Sequence, residues 1–179
     1  MSKFNQVMID IETMGNKSFA AIVSIAAVEF DIKTGETKDV FSVDVDLKSS
    51  VGCGLKIDPS TVLWWLEQSK EAQDNINKDG ESLRSALNKL SKFFVGKENH
   101  NVWGNSARFD MGIIENAYSV IGGSIPWKFY NERCVRTLSS LYPDIKKNMV
   151  FEGLAHDATD DCKHQIKYCS ETYKLLKGI

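Results

Sequence analysis

Asp10 and Glu12 stand two residues apart in the apolar stretch VMIDIETMG (residues 7–15), where a buried strand ordinarily carries no charge. Successive strand side chains alternate between faces, so Val7, Ile9 and Ile11 share one face and Met8, Asp10 and Glu12 the other. At about 3.3 Å of rise per residue the two carboxylates lie about 7 Å apart. Each raises the pKa of the other and costs stability unless a cation or hydrogen bonds offset them. Asp110 is a second anomaly. The apolar stripe of its helix runs Phe109, Ile113, Ile114, Ala117 and Ile121, which turns Asp110 to the core or its edge; a tie to a neighbouring amide or to Arg108 is the structural alternative. The third cluster is HDATDDC, residues 156–162. A helix N-terminus favours acids there and accounts well for Asp157, less well for Asp161, which sits nearer the buried side. Taken singly, His156 is a hydrogen-bonding residue at a helix start. Taken together, four carboxylates from different elements suit Mg²⁺ or Mn²⁺, and two such ions about 3.5 to 4 Å apart stabilise both the attacking and the leaving oxygens of a phosphodiester. Imidazole, with a pKa of about 6.5, suits deprotonation of a water at neutral pH. No Cys or second nearby His converges, which disfavours zinc.

Rigid elements must hold these groups. At 179 residues, 42% hydrophobic and 26% charged, the chain has the composition of one soluble globular domain with a substantial core. Its net charge of -2 gives no global attraction to nucleic acid, so such a partner must be held locally or through metal ions. Residues 4–12, 20–30 and 37–47 read as three strands, with the turn DIKTGETKD before the alternating VFSVDVDL, a three-stranded antiparallel start. SSVGCG reads as a loop. Asp58 and Pro59 open a helix with STVLWWLEQS as its body. SLRSALNKLSKFF sets Leu83, Ala86, Leu87, Leu90, Phe93 and Phe94 along one stripe. NVWG reads as a short strand and ARFDMGIIENAYSVI as a helix. Residues 157–177 form a last helix, with Ala158, Cys162, Ile166, Cys169, Tyr173 and Leu176 on its apolar face. This order predicts an α/β fold with a mixed sheet. The apolar runs fall short of the ~18 residues of a membrane span. Cys53, Cys134, Cys162 and Cys169 form no C-x-x-C pair and no secretory leader is visible, so the expectation is a cytoplasmic protein with reduced cysteines, Cys162 and Cys169 being core residues.

Asp10-x-Glu12, NSARFD ending at Asp110, and His156 with four residues before Asp161 resemble the three motifs of the DEDDh branch of the DnaQ-like 3′-5′ exonucleases. The blocks MIDIETMG, STVLWWLEQSKEA, VWGNSARFD, PWKFYNERCVRT and FEGLAHDATDDCKHQIKY are similar to those of phage and prophage exodeoxyribonuclease VIII-like enzymes, phage exonuclease A and its mycobacterial exoribonuclease relatives. An isolated Asp-x-Glu is weak; the ordered set is specific and covers nearly the whole chain. The resemblance implies a ribonuclease-H-like five-stranded mixed sheet flanked by helices, one exonuclease domain over residues 1–179, and the single-stranded 3′ end of DNA or RNA as partner. It implies two Mg²⁺ or Mn²⁺ ions on Asp10, Glu12, Asp110 and Asp161, with His156 as general base; histidine rather than tyrosine assigns the branch. It also implies that Ile11, Thr13, Met14 and Gly15 meet the terminal nucleotide, Met14 as an apolar wedge and Gly15 by close backbone approach. Many relatives pair as homodimers, and one sequence identifies no apolar patch for it.

Trp64 and Trp65 cannot share a helix face, so one packs inside and the other reaches the surface or the site. Phe109, beside Asp110, is core by preference and close enough for stacking; Asn105 caps the helix or approaches substrate, and Arg136 is a phosphate contact or a surface arginine. Cys134 departs from the relatives' usual Asp-Val-Arg-Thr, which makes substrate preference less safe to transfer. A haloacid-dehalogenase-type phosphatase also begins with Asp-x-Asp-x-Thr, but Glu12 is one methylene too long and His156 would have no role. A non-catalytic binding module is a rival that fold alone does not exclude, although all five functional positions are occupied. Proofreading beside a polymerase lacks an obvious docking segment.

Overall fold

Five strands make one mixed sheet in the computed structural model, which describes residues 3–178. They are β1 (Gln6–Thr13), β2 (Ile22–Phe30), β3 (Thr37–Asp44), β4 (Asn101–Gly104) and β5 (Glu132–Cys134), in the order β3-β2-β1-β4-β5. β1 and β2 pair antiparallel, as do β2 and β3, while β4 runs parallel to β1 and β5 parallel to β4. The antiparallel start is therefore as the sequence pattern expects. Its ends are shorter, because Ala20 and Val45 leave the ladder for isolated bridges to Lys56 and Glu81. β5, three residues long, is a strand that periodicity does not reveal.

The helices are α1 (Leu47–Gly52), α2 (Pro59–Leu66), α3 (Lys70–Ile76), α4 (Leu83–Phe93), α5 (Ala107–Val120), α6 (Val135–Ser139), α7 (Pro143–Asn148) and α8 (Ala158–Lys177). α1 corrects the reading of SSVGCG as a loop. The Asp46 carboxylate accepts from the amides of Lys48 and Ser49 and caps a short helix, which Ser50 Oγ pins to the Ile22 carbonyl. α2 opens as expected, with Asp58 accepting from the Ser60 amide. Among the described residues no helix is long and apolar enough to cross a membrane.

Alternation along β1 divides the core. Val7, Ile9 and Ile11 pack with Leu83, Leu87 and Leu90 of α4 and Met111, Ile113 and Ile114 of α5. Met8, with Ala26, Val28 and Phe30 of β2, packs against Cys162, Ile166 and Cys169 of α8. The sheet is thus covered on both faces, and Asp10 and Glu12 share the α8 face with Met8. Leu176 falls off the expected stripe and is exposed. A helix of twenty residues, about 30 Å long, outruns an eight-residue strand of about 26 Å.

Candidate active site

The acids converge where β1 and β4 end. Asp10 and Glu12 lie in the last half of β1, facing Ala26 and Ser24 of β2, and the register slips between Glu12 and Thr13. A bulge of this kind ends pairing and re-aims side chains. Asp110 stands in the first turn of α5, only 2% exposed, against Gly104 at the end of β4. A Cβ on Gly104 would come within 2.9 Å of Asp110 Oδ2, so glycine there is a condition for the carboxylate to fit. Asp161 comes from the first turn of α8. Asp157 is that helix's cap, accepting from the amides of Thr159 and Asp160.

His156 adopts a left-handed backbone, φ 66°, which is uncommon outside glycine and enriched at Asn, Asp and His. That turn lets its N–H donate to Asp161 Oδ2 at 3.0 Å. Its ring stands edge-on to Trp64, 5.0 Å between centres, and to Trp65 at 5.8 Å. Ligand atoms of Glu12, His156 and Asp161 all lie within 4.8 Å of one another.

Burial is the first cause of the perturbed acidities. It raises Asp10 well above the ordinary carboxylate range, helped by the charges of Asp110, Glu12 and Asp161 and opposed by a hydrogen bond from Gln165. Glu12 is raised by burial and then by Asp161 and Asp110. Burial pushes Asp110 up to about 7 against the pull of backbone amides and Arg136, and raises Asp161 against the pull of His156. Among the described residues none of the four carboxylates has an ion-pair partner, and Asp110 Oδ2 is buried with no hydrogen-bond partner. A buried, oxygen-rich donor set with uncompensated charge fits hard divalent cations.

The two tryptophans divide as the spacing requires. Trp65, 3% exposed, donates from Nε1 to the Thr13 carbonyl at 3.0 Å, whereas Trp64 is 40% exposed. Trp64, Trp65, Ile11, Glu12, Thr13, Gly15 and Phe109 line a cleft of about 460 Å³. The Thr13 hydroxyl turns inward to the Gly15 carbonyl. Gly15 packs closely on Ala20, where a Cβ would come within 3.2 Å. Met14 is not an exposed wedge: the chain folds back so that its amide donates to Ala21 and its carbonyl accepts from Asp58, burying the side chain in the core. Asn105 is not the cap of α5, a position held by Ser106. Its side-chain oxygen is buried without a partner, and its backbone carbonyl accepts from Arg136 Nη2 at 3.0 Å. Arg136 and Asn105 meet in a neighbouring cleft of about 670 Å³.

Gln165 is a contact to the acid cluster that sequence reasoning did not single out. It is buried, one turn after Asp161, and its Nε2 donates to Asp10 Oδ1 at 2.7 Å. Its signal was a polar residue beside the apolar stripe of α8.

Comparison with known proteins adds relatives to this geometry. Residues 5–173 match the model of a family described as the 3′-5′ exoribonuclease Rv2179c-like domain. The chain is 29% identical to an exodeoxyribonuclease of Enterobacteria phage T4, over 96% of this chain and 90% of that protein. Among solved structures, the nuclease domain of 3′hExo, a DEDDh family member bound to rAMP, superposes with a TM-score of 0.62 at 18% identity, covering 99% of this chain and 94% of that one. Escherichia coli exonuclease I in complex with a dA16 oligonucleotide gives a TM-score of 0.69 at 16% identity, over 95% of this chain and 40% of that one. The α/β fold is that of ribonuclease-H-like exonucleases.

Proposed function

Because the chain belongs to the 3′-5′ exoribonuclease Rv2179c-like domain family, a family of 3′-5′ exonucleases, we propose that it shortens single-stranded DNA or RNA from the 3′ end. In this reading residues 1–179 act as one exonuclease domain, with two Mg²⁺ or Mn²⁺ ions and a histidine general base. The observation that carries it is the convergence of four carboxylates, Glu12 and Asp110 buried and Asp10 and Asp161 half-buried, none with an ion-pair partner among the described residues, with Glu12 and Asp161 within reach of the His156 imidazole.

Asp10, Glu12, Asp110 and Asp161 would hold the two cations. When bound, these supply positive charge to the attacking and leaving oxygens of the phosphodiester. His156 accepts the proton of the attacking water. The water oxygen bonds to phosphorus as the bond to the preceding 3′ oxygen breaks, that oxygen takes up a proton from solvent to become the new 3′ hydroxyl, and a nucleoside 5′-monophosphate is released. Asp161 orients His156 through its backbone N–H, and the edges of Trp64 and Trp65 confine the ring. Exposed Trp64 and half-buried Phe109 offer stacking surfaces for the terminal bases, with Ile11, Thr13 and Gly15 at the floor of the cleft. Asn105 and Arg136 meet the strand beyond it.

The test is a time course of 5′-labelled single-stranded DNA and matched RNA in Mn²⁺, Mg²⁺ or EDTA, alongside Asp10→Ala. The expected result is a metal-dependent ladder shortening from the 3′ end and absent in the variant. No cleavage of either strand in either metal would overturn the reading.

A further inference from the structure

Three clefts follow one another across the surface. The first lies against Glu12, Trp64 and Phe109. The second shares Asn16 and Phe109 with it and is lined by Lys17, Arg108 and Arg136. The third, about 400 Å³, shares Arg136 with the second and ends at Lys146 and Lys147 of α7. Some lysines elsewhere are neutralised by close acids, as Lys70 is by Asp74, Lys89 by Glu81, Lys163 by Asp160 and Lys174 by Glu171, while others, such as Lys33, Lys92 and Lys128, stand scattered without one; what marks the clefts is that their cations adjoin. Among the described residues the five cleft cations have no carboxylate within 4.0 Å. Glu115 is the one acid on the wall of the second cleft. Lys146 Nζ rests 5.3 Å from the centre of the Tyr168 ring, which fixes its position without removing its charge.

A row of unpaired cations in a chain of net charge -2 is a local potential, not a reflection of composition. It stands beside a pocket of acids that repels a polyanion. We propose that Lys146 and Lys147 form a docking surface for the phosphodiester backbone on the 5′ side of the scissile bond. The substrate strand then runs from the acids past Phe109 and Arg136 to α7. This direction rests on the exonuclease reading, because a 3′ end in the first cleft leaves only the 5′ side of the strand for the other two. Phosphate contacts carry no base information, so α7 holds DNA and RNA alike, and the choice of sugar is made elsewhere.

Fluorescence anisotropy in EDTA, where turnover stops, tests the surface. The probes are oligo-dT and oligo-U of three and of twelve nucleotides, at roughly 50 to 200 mM salt. Wild type is compared with Lys146→Glu/Lys147→Glu and with the milder Lys146→Gln/Lys147→Gln; both lysines are exposed, and a thermal melt of each variant checks that losing the Lys146 contact to the buried Tyr168 ring leaves the fold intact. Deprived of two phosphate-binding ammonium groups, the charge-reversed protein binds both twelve-nucleotide strands about tenfold more weakly, and its salt slope falls by about 1.4. The neutral variant lies between, and trinucleotide affinity moves less than about twofold. Wild-type affinity and slope for the twelve-nucleotide strands in the charge-reversed variant would overturn the proposal, and so would equal losses on short and long strands. Mn²⁺-dependent shortening of the trinucleotide by wild type is measured on the same preparation. Its absence sinks the exonuclease reading; its presence beside unaltered long-strand binding sinks the α7 surface alone.

Discussion

Asp110→Asn separates the cost of the acid cluster from its use. Burial holds the Asp110 carboxyl at about 7 in the folded protein, against about 3.9 in an unfolded chain. Between these values the folded state keeps a proton that the unfolded state releases, so metal-free stability falls as pH rises through this window and the loss is complete above about pH 7. A gap of about three pH units corresponds to about 4 kcal/mol, of which about 3 falls above pH 5. That is a large share of a typical stability of about 5 to 15 kcal/mol, and in a chain of this size about 3 kcal/mol moves Tm by roughly 6 to 12 °C. Thermal melts in EDTA from about pH 5 to pH 8 are the assay. Wild type loses Tm across the range, whereas Asp110→Asn, which carries no titrating group there, falls less and ends above wild type at the alkaline end. Mn²⁺ reverses the alkaline loss in wild type and much less so in the variant. Parallel metal-free curves for the two proteins, or a wild-type Tm that rises with pH, would refute the argument that burial outweighs the amides and Arg136 at this carboxylate.

His156→Ala keeps the Mn²⁺-induced gain in Tm and lowers kcat by about 10² to 10⁴; turnover equal to wild type would remove the histidine from the mechanism. Gln165→Met deletes the donor to Asp10 Oδ1 at near-constant volume, and calorimetric titration should read a loss of Mn²⁺ affinity of about 10- to 100-fold. A wild-type titration would leave Gln165 as packing. Trp64→Ala weakens oligonucleotide binding by about 1 to 3 kcal/mol with little change in Tm, since the ring is 40% exposed; unchanged anisotropy would discard the stacking role. Trp65→Phe leaves the buried Thr13 carbonyl without its indole donor and lowers stability by about 1 to 3 kcal/mol in urea unfolding, and an unshifted midpoint would count against that bond.

The parts of the fold visible in the sequence are those long enough to carry a period. Alternation in β1 separated Ile9 and Ile11 from Asp10 and Glu12, and the stripes of α4, α5 and α8 pointed Leu87, Ile114 and Ile166 inward. α1, α3, α6 and α7 are each seven residues or fewer, under two turns, where no stripe develops. β5 has three residues, so its place at the sheet edge is decided by β4 and not by its own pattern. Met14 shows a different limit. An apolar residue after an acid pair suits a wedge or a core, and the choice is made by hydrogen bonds to Ala21 and Asp58, which the local sequence does not encode.

At the site Asp10, Glu12 and Asp110 were legible because each breaks a local rule: charge on a buried strand, charge on a core-facing helix turn; Asp161, where a helix start favours acids, was legible through the ordered motif set. His156 and Gln165 break rules that appear only in three dimensions. The left-handed backbone of His156 costs of order 1 to 3 kcal/mol, and it persists because Asp161 Oδ2 receives the N–H while two indoles confine the ring. Gln165 leaves its own Oε1 buried without a partner in order to donate to Asp10. Strain at one residue, an unpaired amide oxygen at another and unpaired carboxylates between them are independent costs. A fold selected for stability alone would not gather all of them at the ends of β1 and β4. On the proposed reading the carboxylates and the imidazole act as a single device, and the metal titration of Gln165→Met bears directly on whether that device includes the glutamine.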